Sequence, residues 1–200
     1  MTRRDLARLV LPGAATALLR GQKRERPIEE HDPSNIKLCH RVSARLEDED
    51  LLFLQQIGLK WARVEFGNQP ASFEFIKATQ ERYARFGMKI FSGVQYAYRE
   101  LDVQLGRPGR DKHIETYRTF IRDLGRLGIP VSNYDFHPGN TYTTATVERR
   151  GYKTREFNLK DFSEKIEKPF FDREYSAEDI WNNYTYFMKA VLPVAKESNV

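Results

Sequence analysis

A few polar residues fall where short apolar runs end, and they are the ones able to do chemistry. His40 and Arg41 follow one such run, Glu65 another, and Asn133, Tyr134, Asp135 and His137 a third. His40 and His137 are candidate proton carriers or metal ligands. Asp135 and Tyr134 join them as catalytic candidates. Arg41, Glu65 and Asn133 are candidates for holding a polar substrate. The two histidines lie 97 residues apart, a separation that makes no spaced metal motif. Each of these residues also has a plain reading as a hydrogen-bonded strand end. Their joint position is what singles them out.

That position depends on the elements that carry them. Three helices are each followed by a glycine and a short apolar strand: Gly58-Leu59-Lys60-Trp61-Ala62-Arg63-Val64, Gly87-Met88-Lys89-Ile90-Phe91 and Gly128-Ile129-Pro130-Val131. Strands are expected over Ile36–Val42, Trp61–Phe66, Lys89–Val94 and Pro130–Tyr134. Helices are expected over Leu46–Ile57, after Pro70, along the Ile114, Tyr117, Phe120, Ile121, Leu124, Leu127 stripe, and from Ser176 to the last residue. Pro193 should bend or shorten the last of these. The order βαβαβαβα implies parallel strands and right-handed crossovers.

A doubly wound sheet and a (β/α)8 barrel both fit this order. No Gly-rich phosphate loop follows any strand, which weighs against the first. Polar and aromatic residues at the strands' carboxyl ends suit a barrel's catalytic face. The expected fold class is therefore α/β, a (β/α)8 TIM barrel truncated to about its first four βα units, spanning 36–200.

A long connection at 136–176 interrupts the repeat, and its length suggests function. Thr143–Val147 and Tyr152–Phe157, about Arg149-Arg150-Gly151, are expected to form a hairpin. Arg149, Arg150 and Arg155 there are further candidates for binding an acidic substrate. A solvated charged hairpin is the plainer reading of the same residues.

Charge excludes one class of partner. The net charge is +5, yet residues 1–26 hold seven Lys/Arg against Asp5 and Glu25, and the rest balances 26 basic with 26 acidic residues. The folded body is neutral, so nucleic acid is not expected to be a partner. Arg3-Arg4 before the short apolar stretch Val10–Leu19 suits an export signal of the twin-arginine type, with a cationic helix of a cytoplasmic protein as the alternative. A mostly apolar stretch of ten residues cannot span a bilayer as a helix, so no membrane role beyond export is expected. Residues 27–35 read as a linker. Cys39 is the one cysteine, which rules out an internal disulfide.

Two stretches carry a family resemblance. Tyr134-Asp135-Phe136-His137-Pro138 resembles the Tyr-Asn-Phe-Met-Pro element of mannonate dehydratases. Ile180 to Ala195, with Trp181-Asn182-Asn183-Tyr184-Thr185-Tyr186-Phe187 near its start, resembles the helix before that family's metal-binding strand. The resemblance implies a xylose-isomerase-like TIM barrel. It implies dehydration of D-mannonate to 2-keto-3-deoxy-gluconate with a divalent metal, Mn²⁺ or Fe²⁺, in a full-length parent. The family's metal ligands fall beyond Val200, so no metal is expected to be bound by residues of this half. By the same reasoning the 200 residues alone are expected to be inactive.

The chain departs from the family pattern. Asp135 and His137 replace Asn and Met, and Thr141-Tyr142-Thr143-Thr144 lacks the arginine of the family's Thr-Arg-Thr. Arg149, Arg150 or Arg155 would then take its role. Two alternatives stay open: a sugar isomerase or epimerase on the same barrel, and a non-catalytic truncated product. Unpaired barrel edges would favour association with another chain.

Overall fold

The computed structural model describes residues 32, 35–139, 143–165 and 171–200. The chain divides into two units, Met1–Lys37 and Leu38–Val200, and the second holds the sheet and its helices. The expected export signal and most of the expected linker lie outside the described residues, as do Thr141 and Tyr142.

Four parallel strands stand side by side in chain order: β1 (Cys39–Ser43), β2 (Trp61–Glu65), β3 (Lys89–Val94) and β4 (Val131–Ser132). Between them run α1 (Asp48–Gln56), α2 (Phe73–Arg85), a 3-10 turn at Tyr96–Arg99, α3 (Leu101–Gln104) and α4 (Arg110–Arg126). A doubly wound sheet reverses its strand order at a switch point. Here the order never reverses, as in the wall of a barrel.

The two faces of the sheet differ, as the period-two geometry of strands requires. Val42, Ala62, Val64 and Ile90 are buried against the helices. The opposite face carries Arg41, Arg63, Glu65 and Ser92, which is the inner face of the barrel wall. The β2–β3 register shifts between Ala62 and Arg63, so that Arg63 pairs with Ser92. Gly93 sits on the helix side, where a Cβ would come within 2.7 Å of Leu124 and 3.1 Å of Phe120.

The glycine of each repeat has a common task. After α1, α2 and α4, Gly58, Gly87 and Gly128 take φ of 81°, 72° and 67°. In each case the next residue's N–H reaches back to the helix, Leu59 to Leu54, Met88 to Tyr83 and Ile129 to Leu124, at 2.9–3.1 Å. This is the Schellman ending, which needs a residue at home in the left-handed region. It turns the chain from helix directly into strand.

The expected stripe on α4 is buried at Ile114, Tyr117, Phe120, Ile121 and Leu124. It packs beside the last helix, α6 (Ala177–Ser198), whose Phe187, Val191 and Val194 are buried. A capping box starts α6: Ser176 accepts from the Asp179 N–H while the Asp179 carboxylate accepts from the Ser176 N–H.

Three expectations need correction. β1 begins at Cys39 rather than Ile36, because its pairing with β2 starts at Cys39, opposite Trp61, and Leu38 just before it is exposed. β4 is two residues long, shorter than Pro130–Tyr134, since only Val131 and Ser132 pair with β3. Pro193 does not shorten α6, which runs to Ser198. Pro193 and Lys189 are both exposed, so the carbonyl left without a proline N–H partner can turn to water.

The hairpin forms as β5 (Ala145–Arg149) and β6 (Tyr152–Glu156), and α5 (Leu159–Lys165) follows. Its two-residue turn is Arg150-Gly151, with φ of 54° and 81°, the signs of a type I′ turn.

Candidate active site

The inner face is joined from β1 to β4 by one polar network at the strands' carboxyl ends. Arg41 and Arg63 are register partners on neighbouring strands. Two guanidiniums side by side repel, and Glu65 answers both. Arg41 holds it with a fork: Nε bonds Oε1, and Nη2 donates to Oε2 at 3.0 Å. Arg63 Nη1 donates to Oε1 at 3.1 Å. From there Arg63 Nε reaches Asn133 Oδ1 at 3.3 Å, and Ser92 donates to the same oxygen.

Burial pushes the Glu65 carboxyl up. The Tyr96 hydroxyl, Arg41 and Arg63 together outweigh that and hold it below the usual glutamate value. Its bond to Glu65 raises Arg41 in turn. Burial, then the bond to Glu65, raises Tyr96.

Tyr96 links this group to a second one. Its ring lies under the Arg99 guanidinium, 4.4 Å away, and Arg99 forks onto Asp135. His137 Nε2 stands 3.5 Å from Asp135 Oδ1. Tyr134 hydrogen-bonds Tyr184 through the two hydroxyls at 3.0 Å. That bond, then burial, pushes Tyr134 up to about 12. Tyr117 lies behind them, pushed up to about 12 by burial, with its hydroxyl 2.9 Å from Ser132 Oγ.

The structure therefore brings Arg41, Glu65, Asn133, Asp135 and His137 onto one side, with Tyr134 at its margin. His40 is not among them. It pairs with Ala62 in the register, and the period of two puts it on the helix-facing side with Val42. Arg149, Arg150 and Arg155 stay on the hairpin: Arg149 pairs with Glu156 at 2.8 Å, while Arg150 and Arg155 are exposed and take no ion pair among the described residues. Sequence reasoning missed Arg63 as a site member and Arg99 altogether. Alternation along β2 puts Arg63 on the side of Glu65. Nothing in the sequence announces the 3-10 turn that aims Arg99. Gln95, also at a strand end, is fully buried, donates to the Asn68 carbonyl at 3.1 Å and accepts from the Ala97 N–H at 2.9 Å. It braces loops.

The family model described as D-mannonate dehydratase (UxuA) matches residues 66–168, just over half of the 200 residues. The chain belongs to the mannonate dehydratase family. Among curated relatives, the mannonate dehydratase of Streptococcus suis strain 05ZYH33 is 32% identical over 124 aligned positions, taking in 50% of this chain and 34% of that protein. That of Endomicrobium trichonymphae is 27% identical over 159 positions, with 64% of this chain and 43% of the relative covered. The crystal structure of mannonate dehydratase from Streptococcus suis serotype 2 superposes with a TM-score of 0.72 at 26% identity, covering 84% of this chain and 52% of that one. The chain thus spans between a third and about half of these relatives' lengths.

The Tyr134–Pro138 element lies inside the matched span, and the α6 resemblance lies past it. Arg41, Arg63 and Glu65 precede it. The family model thus matches the middle of the chain, and the arginine–glutamate group lies just before that span.

Proposed function

We propose that these residues serve a hydro-lyase that converts D-mannonate to 2-keto-3-deoxy-gluconate and water. The family match over 66–168 carries this reading, and the polar inner face at the strands' carboxyl ends supports it. In the reaction a base removes the C2 proton, the C3 hydroxyl leaves with a proton as water, and the resulting enol tautomerises to the 2-keto acid. In this reading His137 carries a proton to the departing hydroxyl; its 3.5 Å approach to Asp135, which Arg99 holds, supports the role. Asn133 and Tyr134 offer hydrogen bonds to sugar hydroxyls.

A divalent metal would stabilise charge on the substrate's oxygens. Among the described residues no three His, Cys, Asp or Glu side chains converge to hold one. Asp135 and His137 supply two donors, and Arg99 already occupies the first. These residues do not fit a metal site, and no step is assigned to one.

The test is product analysis. The 200-residue chain with D-mannonate and Mn²⁺ should bind the sugar acid without forming the keto-deoxy acid. Product from this chain alone would overturn the expectation that these 200 residues are inactive by themselves. Preferential turnover or binding of a neutral ketose would replace the lyase with an isomerase.

Export through residues 1–26 is part of the same proposal. Among the described residues no helix is long and apolar enough to cross a membrane. Secretion of a reporter fused to residues 1–26, abolished by Arg3→Lys with Arg4→Lys, is the expected result. Equal secretion of the altered fusion would contradict it.

A further inference from the structure

The Arg41–Glu65–Arg63 group has one positive charge more than it uses internally. Two guanidiniums share a single carboxylate, and the adjoining Arg99–Asp135 pair is neutral in itself. Like charges at register positions on neighbouring strands are unfavourable unless an anion lies between them. Glu65 answers the repulsion only in part.

The geometry shows which hydrogens remain. Arg41 spends Nε and Nη2 on Glu65, with Nη2 also 3.5 Å from the Tyr96 hydroxyl. Arg63 spends Nε on Asn133 and Nη1 on Glu65. Among the described residues, Arg41 Nη1 and Arg63 Nη2 take no partner. The Arg41 side chain is 65% exposed and that of Arg63 is 26% exposed, so both can meet a ligand. Glu65 fixes the two planes and lowers the entropy cost of using them.

We infer that Arg41 and Arg63, held by Glu65, form a subsite for the carboxylate of a sugar acid on the inner face. This rests on the sugar-acid reading above and names residues that precede the span matched by the family model. It also answers the missing arginine of the Thr-Arg-Thr element without the hairpin. Carboxylate recognition by guanidinium is directional, so charge alone should not replace it.

The experiment is calorimetric titration of the 200-residue chain with D-mannonate, D-gluconate and the neutral polyol D-mannitol at low salt. Both acids should bind and D-mannitol should not. Arg41→Gln and Arg63→Gln should each weaken acid binding about tenfold or more, the loss of one charge-assisted contact. Arg41→Lys keeps the charge at an exposed position but removes the fork, and urea unfolding of the variant reads any loss of stability separately from binding. It should also weaken binding, and added salt should weaken binding of the unaltered chain.

Unchanged affinity in Arg41→Gln or Arg41→Lys would overturn the subsite, as would equal binding of D-mannitol. The underlying reading fails separately. Arginine-dependent binding of D-gluconate with D-mannonate excluded would keep the subsite and sink the mannonate assignment.

Discussion

Arg41 of β1 grips Glu65 of β2 with two nitrogens, one to each carboxylate oxygen. This fork ties the first strand to the second where both reach the inner face, and Arg63 completes it from the other side.

The fork makes a pH prediction. The Glu65 carboxyl sits below its ordinary value of 4.5 because Tyr96, Arg41 and Arg63 outweigh its burial. A depressed folded-state value means stability that is present above the ordinary value and lost as pH falls through the lowered one. Glu65→Gln should cost on the order of 1–3 kcal/mol near neutrality, the scale of hydrogen bonds to a charged group. The gap between the two proteins should narrow as pH drops below the usual glutamate range. Urea unfolding across pH measures it, and a gap that widens toward acid would contradict the assignment.

Gly93 is a packing prediction. A methyl group there meets Leu124 at 2.7 Å and Phe120 at 3.1 Å, both buried on α4. Gly93→Ala should destabilise by about 1–3 kcal/mol through overpacking. Trimming the obstacle in Gly93→Ala/Leu124→Ala should cost less than the two single changes added together, which a double-mutant cycle reads directly.

Phe187 is the buried peg of α6, with its ring centroid 5.8 Å from Tyr117, 5.8 Å from Tyr134 and 5.9 Å from Phe136. Phe187→Ala should cost about 3–5 kcal/mol. It should also loosen Tyr134 and Phe136, which carry the Tyr-Asp-Phe-His-Pro element. Broadened amide signals at 133–137 in the folded variant would show that α6 holds that element in place. Unchanged signals would confine the role of Phe187 to stability.

What the sequence showed depended on how local the cause was. The helix–glycine–strand junctions were legible because a single residue type meets the left-handed backbone at Gly58, Gly87 and Gly128. The α4 stripe was legible from its spacing. The length of β4 was not, since it is decided by how few residues pair with β3. At the site, the strand-end rule found Arg41, Glu65, Asn133 and Asp135, but it placed His40 with them. One step of strand alternation separates His40 from Arg41, and only the register with β2 settles which side each takes. Arg99 came from a turn without a sequence signature, and its pairing with Asp135 crosses 36 residues. The hairpin arginines drew notice by charge, though Arg149 is matched by Glu156 within the hairpin.

Sugar-acid binding on the inner face is tested most directly by following the amide signals of the 200-residue chain as D-mannonate is added. A carboxylate subsite on the inner face should give saturable shifts centred on Arg41, Arg63, Glu65, Ser92 and Asn133, reduced in Arg41→Gln. Shifts confined to Arg149, Arg150 and Arg155, or none at saturating D-mannonate, would contradict it.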